Sequence, residues 1–380
     1  MTVTVERVRG CLLGQAVGDA LGAPVEGLSR DRIIRHFGQV CDYLEPDRAL
    51  AGPARPHPPG VYSDDTQQAL LIAAVLAEAR RFDPELARRR YVDLARPMPG
   101  LARGAHRAMG GNFRAALARM ADGCATLQTG VPSAGNGAAM RVAPIGLWYA
   151  GDQAGLCRAA IEASLQTHAD VRGISAAVAI AFLAGHLASH SVADTLEARE
   201  ALELAAGFTE EAEALLCNEY GLPYSGAEPR PPRFAAALRV LVPLWGADLW
   251  DVLRTIVIQA NRQQPAYPVI SPNDSFSCAS VVTAIFLALS SPSFEEAVVQ
   301  AVNLGSDADT VGGLTGALAG ARWGVGAIPQ RWLDRLANRE GLIAHADALV
   351  GGTKGSTAPA VLVAVERQLS LAQVRVREGW

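Results

Sequence analysis

The sequence predicts an all-α protein built as one large domain, and three observations carry that prediction. Runs of Ala, Leu, Glu and Arg with helical spacing recur along nearly all of the 380 residues. Strand-like alternation of β-branched residues is almost absent outside Val361–Val365, which can equally continue a helix. Aromatic residues make up only 6 %, so Ala, Leu and Val on close-packed helices must form the core.

In chain order the helical runs are Arg7–Leu21, Thr66–Arg81, Asp83–Ala95, Phe113–Met120, Leu156–Leu165, Val171–His190 and Thr209–Asn218. They continue with Phe234–Leu244, Leu249–Arg262, Ala279–Leu289, Phe294–Ala301, Asp309–Trp323 and Pro329–Ala337. Pro and Gly mark the connections at Glu45–Gly60, Met98–Gly100, Thr129–Gly137, Pro223–Arg233 and Gln264–Asp274. None has the composition of a domain linker, and no fixed-period repeat is present. Residues 1–350 are therefore assigned to one domain, with 351–380 as a tail or additional helix reached through the joint Gly351–Thr357.

Glycine spacing adds a packing expectation. Gly10, Gly14, Gly18 and Gly22 recur every four residues, as do Gly312, Gly316, Gly320 and Gly324. Residues four apart share a helix face, and a mid-helix glycine costs ~1 kcal/mol relative to alanine. The two helices are expected to pack on each other or on a common neighbour, bringing both chain ends to one centre. The alternative is a general Ala/Gly bias, since the chain has 37 glycines.

A net charge of -4 and a pI near 6.0 argue against a general nucleic-acid binder or a protein of anionic membranes. Glu6, Arg7 and Arg9 precede any apolar run, so no signal peptide is visible. The most apolar windows, Ala176–Ala184 and Val281–Leu289, fall short of the ~20 residues that span a bilayer. Cys11, Cys41, Cys124, Cys157, Cys217 and Cys278 are scattered without close pairs, which suits buried thiols in a reducing compartment. A soluble, cytoplasmic monomer is expected.

Two short stretches carry the chemistry. Gly305-Ser306-Asp307-Ala308-Asp309-Thr310 leads from a glycine turn into a small-residue helix, and Ser63-Asp64-Asp65-Thr66 opens an apolar one. Carboxylates and hydroxyls so arranged are hard-cation ligands. The same residue types also cap helices and suit their positive ends. The spacing thus admits a shared divalent-metal site or two independent caps. Glu26 lies in a Pro/Gly-bounded loop; beside a metal site it becomes a candidate general base or outer ligand, and otherwise it is a surface glutamate.

Several stretches resemble the ADP-ribosylglycohydrolases, a family that includes the bacterial dinitrogenase-reductase-activating glycohydrolase and its animal relatives. They are Gly10–Glu26 (GCLLGQAVGDALGAPVE), Tyr62–Thr66 (YSDDT), Ser133–Pro144 (SAGNGAAMRVAP), Thr167–Asp170 (THAD) and Ala301–Gly324 (AVNLGSDADTVGGLTGALAGARWG). They stand in the family's order and span about residues 8 to 345. The resemblance implies a compact, single all-helical domain holding two divalent cations, Mg²⁺ or Mn²⁺, at the bottom of a cleft. It implies Ser63, Asp64 and Asp65 at the first metal, Asp307 and Thr310 at the second, and Asp309 bridging. It implies a catalytic role for Glu26, and a channel for the diphosphate and ribose of ADP-ribose lined by Gly135, Asn136, Gly137 and His168.

The implied activity is hydrolysis of the bond between ADP-ribose and a modified acceptor, above all arginine on a protein. Another linkage (serine, a nucleic acid, O-acetyl-ADP-ribose) or a non-enzymatic ADP-ribose binder are the alternatives. Backbone N–H groups of the Gly-Asn-Gly turn offer a concavity for the diphosphate. His168 can donate to substrate, or can belong to a capping cluster with Thr167 and Asp170. Three positions depart from the family pattern: Ser306 where a second glycine is common, Ser63 for threonine, and Ala134 where some members have an adenine-stacking aromatic. Phe113, Trp148 and Tyr149 are the nearest substitutes, although core packing explains each.

Other signals carry less. His186 and His190, four apart with Asp194 beyond, look like a zinc pair but lack a further ligand. Gly351–Thr357 (GGTKGST) lacks the Gly-Lys-Ser/Thr order of a P-loop and reads as a flexible tail.

Overall fold

The computed structural model describes residues 3–45, 57–190, 195–222, 233–351 and 358–378. The helices run α1 (Val5–Gly22), α2 (Arg30–Phe37), α3 (Asp64–Ala79), α4 (Pro84–Ala95), α5 (Gly111–Ala121), α6 (Ala143–Trp148), α7 (Gln153–Leu165), α8 (Val171–Ser189) and α9 (Thr195–Asn218). They continue with α10 (Phe234–Arg239), α11 (Leu249–Arg262), α12 (Ser277–Ser290), α13 (Phe294–Val302), α14 (Ala308–Trp323), α15 (Gln330–Arg335), α16 (Arg339–Gly351) and α17 (Ala358–Glu378). No strand is present among the described residues; extended pairing is limited to isolated bridges such as Ser29 with Gly305 and Gly135 with Phe276. The expected all-α class is what the chain adopts.

The glycine expectation is met directly. A Cβ at Gly10 would sit 2.3 Å from Gly320 O, at Gly14 2.2 Å from Gly316 O, and at Gly18 2.0 Å from Gly312 O. At Gly22 it would lie 2.2 Å from Ala308 O. These pairs run in opposite directions along the chain, so α1 and α14 are antiparallel and touch backbone to backbone. No side chain fits between them, and that close approach is why glycine recurs despite its helical cost. The consequence for the site is geometric: the end of α1, and Glu26 just beyond it, is held beside the start of α14.

A second device brings in α3. Asp19 on α1 is fully buried and accepts from Ser63 N (2.7 Å), Thr66 N (3.0 Å) and Thr66 Oγ1 (2.6 Å). One carboxylate therefore satisfies two of the free amides that open α3. Three remote stretches of sequence converge on one end of the bundle.

Elsewhere the boundaries shift for identifiable reasons. Helix α9 begins well before Thr209 and passes through Gly207, a position where any Cβ would meet open space. The run Phe234–Leu244 splits into α10 and a 3₁₀ turn, Val242–Leu244. Val361–Val365 lies inside α17, so the β-branched alternation yields to a helix that packs on α3, α4 and α16. Helix α8 is apolar over 19 residues, longer than the stretch expected, and passes the length test for a membrane span; yet 94 % of its most apolar window is buried against other helices. All six cysteines are free: Cys11 and Cys278 are buried as expected, but Cys41 and Cys124 are exposed. His186 and His190 stack with ring centroids 4.3 Å apart, and Asp194 lies outside the described residues. So do most of the connections Glu45–Gly60 and Pro223–Arg233 and of the joint Gly351–Thr357.

Candidate active site

Caps come first, because they decide between the two readings of the acidic stretches. On α3 the cap is Ser63, whose hydroxyl accepts from Asp65 N at 3.2 Å. Asp64 and Asp65 do not cap; they line a cleft of about 450 Å³. On α14 the N-cap residue is Asp307, and its side chain makes no capping bond. It takes a hydrogen bond from Asn136 Nδ2 at 2.7 Å instead. Asp309 Oδ1 takes the first-turn amide of Thr310 at 2.9 Å, so capping accounts for Ser63 and in part for Asp309, and leaves Asp64, Asp65 and Asp307 unexplained.

The structure brings the two acidic stretches together. The Thr310 side chain is close enough to Asp65 and Asp307 to favour the anionic form of each, and Asp309 lies beside Asp307. Asp64 accepts from Gln68 Nε2 at 2.8 Å, and Gln68 in turn is held by Arg141 Nη1 at 2.8 Å. Glu26, Asp64, Asp65, Asp307, Asp309, Thr310, Gly135, Asn136, Gly137 and His168 all line the same cleft. Ser63, next in the chain to Asp64 and 1 % exposed, does not.

Burial makes these carboxylates costly as anions. Burial, followed by the charges of Asp19 and Glu26, pushes the Asp64 carboxyl up to about 7. Burial and then neighbouring carboxylates hold Asp65 and Asp309 well above their ordinary range, and burial, with a smaller push from the charge of Asp274, raises Asp307. Asp65 Oδ2 is buried with no hydrogen-bond partner. Arg141 shares the cleft, but its terminal nitrogens are spent on Gln68, the Ala163 carbonyl and the Thr167 hydroxyl.

A site that gathers oxygen donors, leaves one orphaned and lacks a neutralising cation fits hard divalent ions. Among the described residues, no group of three or more His, Cys, Asp or Glu side chains is already closed around one point. Uncompensated carboxylates repel one another, and the donor set here includes hydroxyls.

The other wall holds His168. The Thr167 hydroxyl accepts from Arg141 Nη2 and lies 2.8 Å from His168 Nδ1. With Arg141 donating to it, the hydroxyl is best placed to give its own proton to Nδ1. That assignment leaves the Nε2–H toward the Gly135–Gly137 turn. Burial, then the charge of Arg141, lowers the imidazole to about 3, so it is neutral. His168 does not share in capping α8, which Asp170 caps by accepting from Arg172 N at 2.9 Å.

A Cβ at Gly137 would crowd this ring: it would come 3.1 Å from His168 Cε1, and the imidazole would have to shift by a few tenths of an ångström. The Gly135 and Asn136 amides, expected to be open to an anion, are already engaged by Ser133 Oγ (3.2 Å) and Ser275 O (3.0 Å). The turn contributes shape and side chains more than those two amides.

Several residues of the cleft were missed by sequence reasoning. Gly110, Gly111 and Asn112 line it at the start of α5, a helix whose N-terminus has no side-chain cap. The Gly110-Gly111 pair before the apolar run was the available signal. Asp274 and Ser275 line it too, and both lie within hydrogen-bond reach of the half-exposed Tyr267 hydroxyl (3.1 and 3.2 Å). Of the aromatics considered from sequence, only Phe113 reaches the cleft; Trp148 packs under Arg80, and the Tyr149 hydroxyl accepts from Phe82 N.

The turn at Ser306 is kept, as expected, and its backbone explains why glycine is common there. Ser306 has φ 57°, in the left-handed region, and cleft-lining Ala108 has φ 47°. Hydrogen bonds hold it: Gly27 N donates to Ser306 O and Ser306 N to Leu28 O, each at 2.7 Å. This stitch ties the Glu26 loop to the start of α14.

The family model for ADP-ribosylglycohydrolase matches residues 1–359. The chain belongs to that family. It is 30 % identical over 347 residues to ADP-ribosylhydrolase ARH3 of Bos taurus, covering 87 % of this chain and 88 % of that one. It is 27 % identical over 340 residues to ADP-ribosylarginine hydrolase Tri1 of Serratia proteamaculans, covering 89 % and 77 %. Among solved structures, a chain of an ADP-ribosylglycohydrolase-related protein complex aligns with TM-score 0.61 and 33 % identity, over 91 % of this chain and 97 % of that one. As an ADP-ribosylglycohydrolase the protein is a glycosidase-type enzyme acting on ADP-ribosyl groups.

Proposed function

We propose that this ADP-ribosylglycohydrolase removes ADP-ribose from arginine side chains of modified proteins, with two divalent cations, Mg²⁺ or Mn²⁺, as cofactors. The observation that carries the proposal is the convergence of Asp64, Asp65, Asp307, Asp309 and Thr310 in one cleft with Glu26 at its rim. Intact oxygen donors at every one of these positions count against a relative that only binds ADP-ribose. Arginine as acceptor rests on relatives such as Tri1, named as an ADP-ribosylarginine hydrolase. A different linkage is the second reading, because the relatives named ADP-ribosylhydrolase ARH3 are comparably similar.

In this reading Asp64, Asp65, Asp307, Asp309 and Thr310 would hold the cations, joined by the Ser63 hydroxyl through the lone pair that its capping bond leaves free. When bound there, the cations would supply positive charge and Lewis acidity to the sugar. Cleavage at the anomeric carbon passes through an oxocarbenium-like state, which nearby carboxylates favour. Glu26, exposed and close enough for its charge to act on Asp64 and Asp309, is placed to take a proton from the attacking water. The neutral His168 offers its Nε2–H to a substrate oxygen. The uncapped start of α5 suits the diphosphate, since a helix N-terminus presents amides and positive potential. Tyr267, half-exposed and steadied through its hydroxyl, gives adenine the platform that Ala134 lacks. All six cysteines being free accords with a cytoplasmic enzyme, which we propose acts as a monomer.

The test is Glu26→Ala. It should lower kcat by about 10²–10³-fold, as loss of a general base does, with Mg²⁺ affinity within about threefold of wild type. Unchanged kcat would remove Glu26 from the mechanism.

A further inference from the structure

The family match ends at residue 359, and α17 (Ala358–Glu378) lies almost wholly beyond it. This helix nevertheless sends a carboxylate into the domain. Glu366 is 0 % exposed and pairs with Arg107, itself buried, at 2.7 Å. Glu366 also accepts from the Tyr62 hydroxyl (2.6 Å) and from Gln67 Nε2 (2.9 Å).

Every group in this knot is adjacent to a cleft wall. Tyr62 immediately precedes Ser63-Asp64-Asp65, and Gln67 lies on the first turns of the same helix. Arg107 precedes Ala108 and Gly110–Phe113, a second stretch that lines the cleft. Cross-links tie the walls together: Arg107 Nε donates to Tyr62 O (2.9 Å), and Gln67 Nε2 to Ala105 O (3.0 Å). Ser370, one turn along α17, donates to Ala105 O at 2.6 Å. Further along, Gln373 Nε2 donates to His57 Nδ1 (3.1 Å), and His57 Nε2–H is bound to the Val61 carbonyl. Helix α17 therefore grips residues 61 to 67 and 105 to 107 together, without touching the cleft itself.

We propose that Glu366 is a positioning residue for the cleft, fixing the start of α3 against the 105–113 wall so that Asp64 and Asp65 are held in their binding geometry. Its own charge matters as well as its shape. Tyr62 and Gln67 donate to it and Arg107 pairs with its charge, a combination that only an ionised carboxylate meets. Glu366→Gln keeps the volume but turns one acceptor into a donor aimed at other donors.

The experiment compares Glu366→Gln with Ile256→Ala, a buried change on α11 that lowers stability without touching the knot. Hydrogen exchange on the free, full-length protein should show faster exchange at 61–70 and 105–113 in Glu366→Gln only. Calorimetry with Mg²⁺ should show affinity about tenfold or more weaker, the scale found for residues that orient metal ligands. Turnover should fall at limiting Mg²⁺ and recover at saturating Mg²⁺, a signature that a purely structural loss does not produce. Wild-type exchange and wild-type Mg²⁺ affinity in Glu366→Gln would overturn the proposal, as would the same changes in Ile256→Ala at matched Tm. The activity arm rests on the hydrolase reading. If the wild type releases no ADP-ribose, that reading falls, while hydrogen exchange, which needs no ligand, still decides the positioning role.

Discussion

Gly316→Leu should unfold the domain or leave it without activity. A Cβ alone at Gly316 would sit 2.1 Å from Gly14 O, a backbone atom that cannot rotate away. Helices with ordinary side chains between them stand about 8–10 Å apart, and α1 and α14 can reach such a spacing only by separating. Separation would pull Glu26 and Asp19 from Asp309 and Asp65 and expose a core lined by residues of both helices. Overpacking usually costs about 1–3 kcal/mol; with rigid backbone on both sides, about 4 kcal/mol or more is expected, in the range that marks a specific structural failure. Even Gly316→Ala should lower stability severely. Chemical denaturation checks both, and wild-type stability in either would contradict the backbone contact.

Asp309→Asn should abolish turnover while making the metal-free protein more stable at neutral pH. Burial first, then Glu26, Asp65, Asp307 and Asp19, raise the Asp309 carboxyl well above its ordinary range. A group whose folded pKa is raised contributes stability that is complete below its unfolded value and is lost as pH rises through the folded one. The metal-free wild type should therefore lose stability as pH rises above about 4, the ordinary carboxyl value. Asp64, raised to about 7, extends that loss to neutrality. Asparagine keeps the shape of Asp309 and cannot ionise, so Tm in EDTA at pH 8 should rise by about 2–4 °C. Added Mg²⁺ should then stabilise the wild type and not the variant, because a ligand that binds only the folded state raises its stability. A lower Tm for Asp309→Asn in EDTA, with Mg²⁺ still stabilising it, would contradict the charge-cluster reading.

Much of this was legible in the residues because the physics involved is local. Glycines four apart on two helices announce backbone contact whatever the partner, and the structure pairs Gly14 with Gly316 as that spacing requires. Asp64, Asp65, Asp307 and Asp309 could be singled out as hard-ligand chemistry, though not separated from capping. That choice needed to show Ser63 capping and Asp307 not.

Asp19 was illegible, since its role depends on amides 44 and 47 residues away. Glu366 was harder still: the alternation Val361–Val365 left strand and helix both open, and nothing in it signals a carboxylate bound to a buried arginine 259 residues upstream. The start of α5 was read too late because Gly110-Gly111 looks like a break, whereas these residues form its open N-terminus. Rim residues such as Tyr267 lie in loops, where composition does not determine direction.

The most direct measurement is ADP-ribose release from arginine-, serine- and nucleic-acid-linked substrates, each in Mg²⁺, Mn²⁺ and EDTA, with Asp309→Ala as control. Release from the arginine linkage that requires a divalent cation and Asp309 is the predicted result. Arginine-linked release that persists in EDTA or in Asp309→Ala would contradict the two-metal cleft, and metal-dependent release confined to another linkage would contradict arginine as the acceptor.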